Sequence, residues 1–176
     1  ISVKEAHERR KNMLNWWNHP RIKLQFNIVE KNKKNPEEGC FRSHENIINN
    51  VKKTGLNRIL ILEDDAKPTT NLNNIINKVN NSLEWLDNNK PNWTYLMLGY
   101  FPIRSKKTNN KNILNLKCAF LSHAYIVNVK NVTTPDWNKS NDSGIDGLLF
   151  CNNKIPINIF SEIKKIKSNI SELNPM

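Results

Sequence analysis

Ile59-Leu60-Ile61-Leu62 is an unbroken apolar run that stops at Glu63-Asp64-Asp65. Such a run is too short for a helix and suits a strand buried on both faces. A strand of that kind belongs inside a sheet covered by helices. In open α/β sheets, ligands gather outside the carboxyl ends of the strands. Three carboxylates at one such end repel one another and resist burial unless a positive group joins them. A divalent cation held through oxygens would do this, with a nucleotide diphosphate supplying oxygens from its other side. The competing reading is structural. Acids after a strand also cap the helix that follows, and Pro68-Thr69-Thr70 marks a helix start nearby.

Elements alternate along the rest of the chain. Ile1 to Val3 reads as the remnant of a strand. Ala6 to Trp17 reads as a helix with Ala6, Met13, Leu14 and Trp17 on its apolar stripe and Arg9 and Arg10 on its wet face, one of them within reach of a phosphate. From Arg21 to Val29, Ile22, Leu24, Phe26 and Ile28 alternate with polar residues, which predicts a strand with one covered face. Gly39-Cys40-Phe41-Arg42-Ser43-His44 then reads as a turn into a helix, with Ser43 as its cap and Gly55 at its end. A glycine-led turn into a helix N-terminus can bind an anion through its unpaired N–H groups. Leu72 to Leu86 predicts a helix, and Trp93 to Gly99 a strand.

Pro102 to Asn112 is polar and basic and reads as a mobile loop over a site. Lys117 to Val129 predicts one or two strands around Ser122-His123, where His123 is either a core histidine or a site residue. Ser143-Gly144-Ile145-Asp146 opens a short helix, and its spacing also matches a capping box. Ile155 to Ile159 predicts a last strand. Residues 1–160 form one domain on this reading, and 161–176 a C-terminal helix or tail. The expected fold class is α/β, with a mostly parallel central sheet flanked by helices.

The 176 residues fit one domain, and the charge of +11 raises the question of a polyanion partner. Nucleic acid is disfavoured, because the basic residues are scattered rather than clustered and no stacking aromatics interleave them. The excess of Asn, Lys and Ile runs along the whole chain, as a coding bias produces. No apolar run is long enough to cross a membrane. The start at Ile1, with no visible signal peptide, reads as a trimmed domain. Cys40, Cys118 and Cys151 lack close metal-ligand spacing, so a reduced, cytoplasmic setting is expected.

Several blocks in order go further. Gly39-Cys40-x-x-Ser43-His44, then Ile59 to Asp65, then Ser122-His123-Ala124-Tyr125-Ile126-Val127, then Gly144-Ile145-Asp146 resemble glycosyltransferase family 25. That family includes lipopolysaccharide galactosyltransferases and the domains that modify collagen hydroxylysine.

The resemblance implies a GT-A-like, Rossmann-like domain. It also implies metal-dependent, inverting transfer of a hexose, galactose or glucose, from a UDP-sugar, with manganese as the cation. The acceptor would be a hydroxyl on a glycan, a glycolipid or a hydroxylysine-type protein. Composition and size point to a large DNA virus or an AT-rich bacterium, which would put the protein in the host cytoplasm in the viral case. Asp65 is the expected metal ligand, with Glu63 beside it on the metal or, like Asp64, on the donor. Gly39, Ser43, His44 and His123 are expected around the donor. Asp146 is the expected general base, with Asp142 second. The alternative reading is a catalytically degenerate domain that binds a nucleotide-sugar or glycan without turning it over.

Overall fold

The computed structural model describes residues 1–99, 101–120, 122–134, 136–137, 157–159 and 163–165. The elements in chain order are β1 (Ser2–Val3), α1 (His7–Trp16), β2 (Ile28–Val29), α2 (Pro36–Lys52), β3 (Arg58–Leu62), β4 (Ala66–Pro68) and α3 (Leu72–Asn89). They continue with β5 (Tyr95–Met97), β6 (Phe101–Lys107), β7 (Leu114–Phe120), β8 (Ala124–Asn128), β9 (Ile157–Ile159) and β10 (Ile163–Lys165). Among the described residues, no helix is long and apolar enough to cross a membrane.

The fold is a mixed α/β domain around a six-stranded sheet in the order β3-β8-β5-β9-β7-β6. Only β5 and β9 pair in parallel; the other neighbours are antiparallel. This corrects the expectation of a mostly parallel sheet. β3 and β5 do run in the same direction, as a strand-helix-strand order requires, but β8 is inserted between them and reverses both contacts. The two short pairs β1-β2 (parallel) and β4-β10 (antiparallel) stand outside that sheet.

Side-chain alternation splits the core into two layers, one on each face of the sheet. Ile61, Tyr95, Met97, Tyr125 and Val127 pack with Phe41 and Ile48 of α2. Leu62, Leu96, Ala124 and Ile126 pack with Met13 and Trp17 of the α1 region and Leu86 of α3. Every residue of β8 is buried. Trp17 also anchors the chain beyond β3, its indole N–H donating to the Ala66 carbonyl at 2.9 Å.

Several boundaries move. α2 starts at Pro36, not near Ser43: the Asn35 side chain accepts from the Glu38 N–H, Pro36 occupies the first turn, and Glu37 and Glu38 face the positive end of the helix dipole. Gly39 is therefore inside the helix, and no helix N-terminus lies there to bind an anion. A Cβ at Gly39 would come within 2.6 Å of the Asn32 Cβ, so glycine is needed for that close approach. Asn71 rather than Thr69 or Thr70 caps α3, accepting from the Asn73 N–H. The basic stretch expected to be a loop forms β6 and its turn into β7. Lysines on an edge strand are how sheets deter edge-to-edge pairing, so their charge said nothing against a strand. Leu14, expected on the apolar stripe of α1, is 55% exposed. Ile163–Lys165, placed by the sequence in a helix or tail, instead pair with β4.

Two expected strands are only half realised. Ile22, Leu24 and Phe26 do alternate in burial and pack against the second core layer, yet only Ile28–Val29 pair as a strand. β3 is an edge strand, and Leu60 at its middle is 36% exposed.

Candidate functional site

The three acids form the turn that joins β3 to β4. The Glu63 N–H donates to the His123 carbonyl at 2.8 Å, and the Ala66 N–H donates back to the Glu63 carbonyl at 3.1 Å, closing a β-turn. Backbone bonds thus hold the turn, and each carboxylate leaves it toward different surroundings.

Glu63 points toward α2 and the start of β8. Its Oε1 accepts from the Ser122 hydroxyl at 2.9 Å and lies 3.5 Å from His44 Nε2. His44 is fully buried in the middle of α2, not in a first turn facing water. Its Nδ1 lies 2.6 Å from the Tyr125 hydroxyl, and the two rings stack with centroids 5.7 Å apart. With Nδ1 facing that hydroxyl, Nε2 is the nitrogen presented to Glu63. Cys40, one helical turn before His44, completes the group: its sulfur, a His44 ring nitrogen and a Glu63 oxygen lie within 4.8 Å of one another. Thiol, imidazole and carboxylate donors together suit a borderline-soft cation rather than a hard one.

Asp64 is 7% exposed and points the other way. It accepts from the Ser2 hydroxyl at 2.7 Å and from Arg9 Nη1 at 2.9 Å. The hydrogen bond to Asp64 raises the Arg9 pKa above its usual value. Arg10 braces the same corner, its Nη1 donating to the Ser2 hydroxyl at 3.0 Å and the Val3 carbonyl at 2.6 Å. The two arginines expected on the wet face of α1 therefore tie α1 to β1 and to the acid turn. A buried carboxylate needs such partners, since stripping it of water is costly.

Asp65 is half-buried, and its charge acts on Arg9. Among the other sequence-predicted residues, His123 is 1% exposed and offers its carbonyl to the turn. Ser43 is buried and turned back into its own helix, its hydroxyl donating to the Gly39 carbonyl at 2.7 Å. Asp142 and Asp146 lie outside the described residues. The structure therefore gathers His44, Glu63, Asp64, Asp65 and His123 at the end of β3 and leaves Gly39 and Ser43 inside α2.

Sequence reasoning missed Ser2, Arg9 and Cys40 as neighbours of the acids. It quoted Ser122 and Tyr125 only as part of a block. For Cys40 a signal existed: Cys40 and His44 share one helix face at i, i+4 once the helix is started at Asn35-Pro36. For Ser2 and Arg9 there was none, because the Arg9–Asp64 contact spans 55 positions.

A family model described as glycosyltransferase family 25 (LPS biosynthesis protein) matches residues 27–139, more than half of the chain. The match begins just before β2 and runs past β8, so it covers α2, the acid turn and the Ser122-His123 segment. Comparison with curated proteins finds no match.

Proposed function

The chain belongs to glycosyltransferase family 25, and from that premise we propose that it moves a hexose, galactose or glucose, from a UDP-sugar to a hydroxyl on a glycan, lipid or protein. The observation that carries this reading is the backbone-held turn of three carboxylates at the end of β3, each in different surroundings. Its oxygens suit a hard divalent cation such as manganese. Asp65 would hold the cation, with the second oxygen of Glu63 beside it. Bound there, such a cation would supply positive charge to offset that of a diphosphate leaving group.

The other residues give the turn its shape. Ser2 and Arg9 fix Asp64, so the chain cannot swing away from the end of β3. His44 and Ser122 orient Glu63, and Tyr125 orients His44. Preorganised groups of this kind cost no rearrangement during reaction. Inversion needs a base at the acceptor hydroxyl. Asp146 takes that role, with Asp142 as the next choice.

Calorimetric titration of UDP, with manganese and then with EDTA, tests the reading. The expected result is binding that needs the metal, and a loss of at least ~100-fold in affinity in Asp65→Ala, the scale of a lost charge-assisted contact. Asp146→Asn should bind UDP as tightly as the parent and fail to transfer. UDP binding indifferent to both manganese and Asp65 overturns the assignment of the acid turn. Metal-dependent binding with no hydrolysis or transfer of any UDP-hexose leaves a binding domain in place of an enzyme, a result that the engagement of Glu63 and Asp64 by protein partners would then explain.

A further inference from the structure

One face of α2 meets the acid turn with donors of three different kinds. Cys40 and His44 stand one helical turn apart on that face, and Glu63 reaches them from the end of β3. The Cys40 sulfur, a His44 ring nitrogen and a Glu63 oxygen all lie within 4.8 Å of one another. Cys40 and Glu63 are half-buried, while His44 between them is fully buried.

His44 carries the strongest sign of a missing ligand. Among the described residues, its Nε2 has no hydrogen-bond partner. The Glu63 Oε1 stands 3.5 Å away, too far for a good N–H···O bond. Leaving a buried ring nitrogen in that state is costly, and a cation between it and the carboxylate removes the cost. The other ring nitrogen is already engaged, with Nδ1 2.6 Å from the Tyr125 hydroxyl. An imidazole that donates its Nδ1–H to an oxygen presents the Nε2 lone pair, which is the arrangement of a metal-bound histidine. Ser122 supports the carboxylate in the same way. Its hydroxyl donates to Oε1 at 2.9 Å and leaves that oxygen a further lone pair.

The spacing fits one ion. A tetrahedral zinc with nitrogen and oxygen at ~2.0 Å and sulfur at ~2.3 Å holds its donors roughly 3.3–3.6 Å apart. His44 Nε2 and Glu63 Oε1 are 3.5 Å apart before any adjustment. Bringing the sulfur in from the outer limit of 4.8 Å takes a shift of only ~1 Å, within reach of a rotation at Cys40. A hard cation would gain little here, since it takes oxygen donors and a thiolate and an imidazole offer it none.

We infer that Cys40 Sγ, His44 Nε2 and Glu63 Oε1 form a zinc site with three protein ligands and a fourth position open to water. Binding exchanges the Cys40 thiol proton for the metal and releases that proton to solvent. The site is separate from the hard-cation position proposed at Asp65. Glu63 is common to both through different oxygens, Oε1 facing sulfur and imidazole and the other facing Asp65. Zinc here fastens α2 to the end of β3 and fixes the Glu63 side chain. The assignment does not rest on nucleotide binding by the acid turn.

The test is to titrate cobalt(II), a coloured substitute for zinc, into the reduced, metal-free protein, and then zinc by calorimetry. Cobalt should give a thiolate-to-metal charge-transfer band and the strong visible absorption of a four-coordinate ion, and zinc should bleach both. Both signals should persist in Cys118→Ser/Cys151→Ser and vanish in Cys40→Ser. Zinc affinity should fall by at least ~100-fold in Cys40→Ser, more than the loss of an outer partner costs. It should fall by no more than ~5-fold in Asp65→Ala, the scale of a screened charge. Absence of the thiolate band in the parent protein overturns the inference without any variant. So does a band that survives Cys40→Ser. Equal losses of zinc affinity in Cys40→Ser and Asp65→Ala overturn it too, because they would place zinc on the acid turn. UDP plays no part in these readings, so they succeed or fail separately from the transferase assignment.

Discussion

β3 has two edges that differ in everything but sequence. Its inner edge meets β8 through five register pairs, from Arg58 opposite Asn128 to Leu62 opposite Ala124. Its outer edge faces a slot, a cavity of about 530 Å³ lined on its other side by Arg21–Asn27, and among the described residues the backbone meets it only at Leu62. The same residues thus have one finished, paired edge and one open edge. Apolar pattern sets which residues need covering, and tertiary neighbours decide whether they are covered.

The largest effect that would sharpen this contrast comes from the finished side. Leu96, in β5 on the far side of β8, is fully buried. Leu96→Ala should lower unfolding free energy by about 3 kcal/mol, from lost burial plus the cavity left behind. Urea unfolding measures it, and a cost below ~1 kcal/mol would mean that the region around β8 is not close-packed.

An intermediate effect is expected where the acid turn meets α1. Arg9→Ala leaves Asp64 buried with the Ser2 hydroxyl but without its cation. The loss should be about 1–2 kcal/mol, in the lower part of the range for a buried acceptor losing a partner, since the Arg9 side chain is 38% exposed and its charge is screened. Asp64→Asn combined with Arg9→Ala should cost less than the two single changes added together. Strict additivity in that double-mutant cycle would dissolve the pair.

The smallest effect belongs to the open edge. Leu60→Ala should cost no more than ~1 kcal/mol, because the side chain is already partly in water. Urea unfolding measures it, and a cost of ~3 kcal/mol or more would mean that Leu60 is as closely packed as Leu96.

Much of the site was legible because it is local. An apolar run ending in Glu63-Asp64-Asp65 announces a strand that delivers carboxylates to a sheet end, and the structure has that strand and that turn. Gly55, read as the stop of α2, does lie past its end with φ +77°. The start of α2 was misplaced for one reason: competing caps. Asn35 and Ser43 are both good N-cap residues, and nothing in the local pattern says which will be used. Packing chose Asn35, since starting there buries Phe41, His44 and Ile48 together.

The distant parts were illegible in principle. The tie between His44 and Tyr125 spans 81 positions, and that between Ser2 and Asp64 spans 62. No short-range pattern encodes such distances. The order β3-β8-β5 is of the same kind, because alternation of strands and helices sets the direction of β3 and β5 but not what lies between them. By itself, then, the amino-acid sequence determined the three helices, the strand β3 and the presence of three carboxylates at its end, all of which depend on neighbours a few residues apart. Only the tertiary structure decided that Glu63 turns to His44 and Asp64 to Arg9, that β8 reverses the sheet, and that one edge of β3 is left facing a slot, because each of these is settled by which buried polar or apolar group is near enough to compensate for the loss of water.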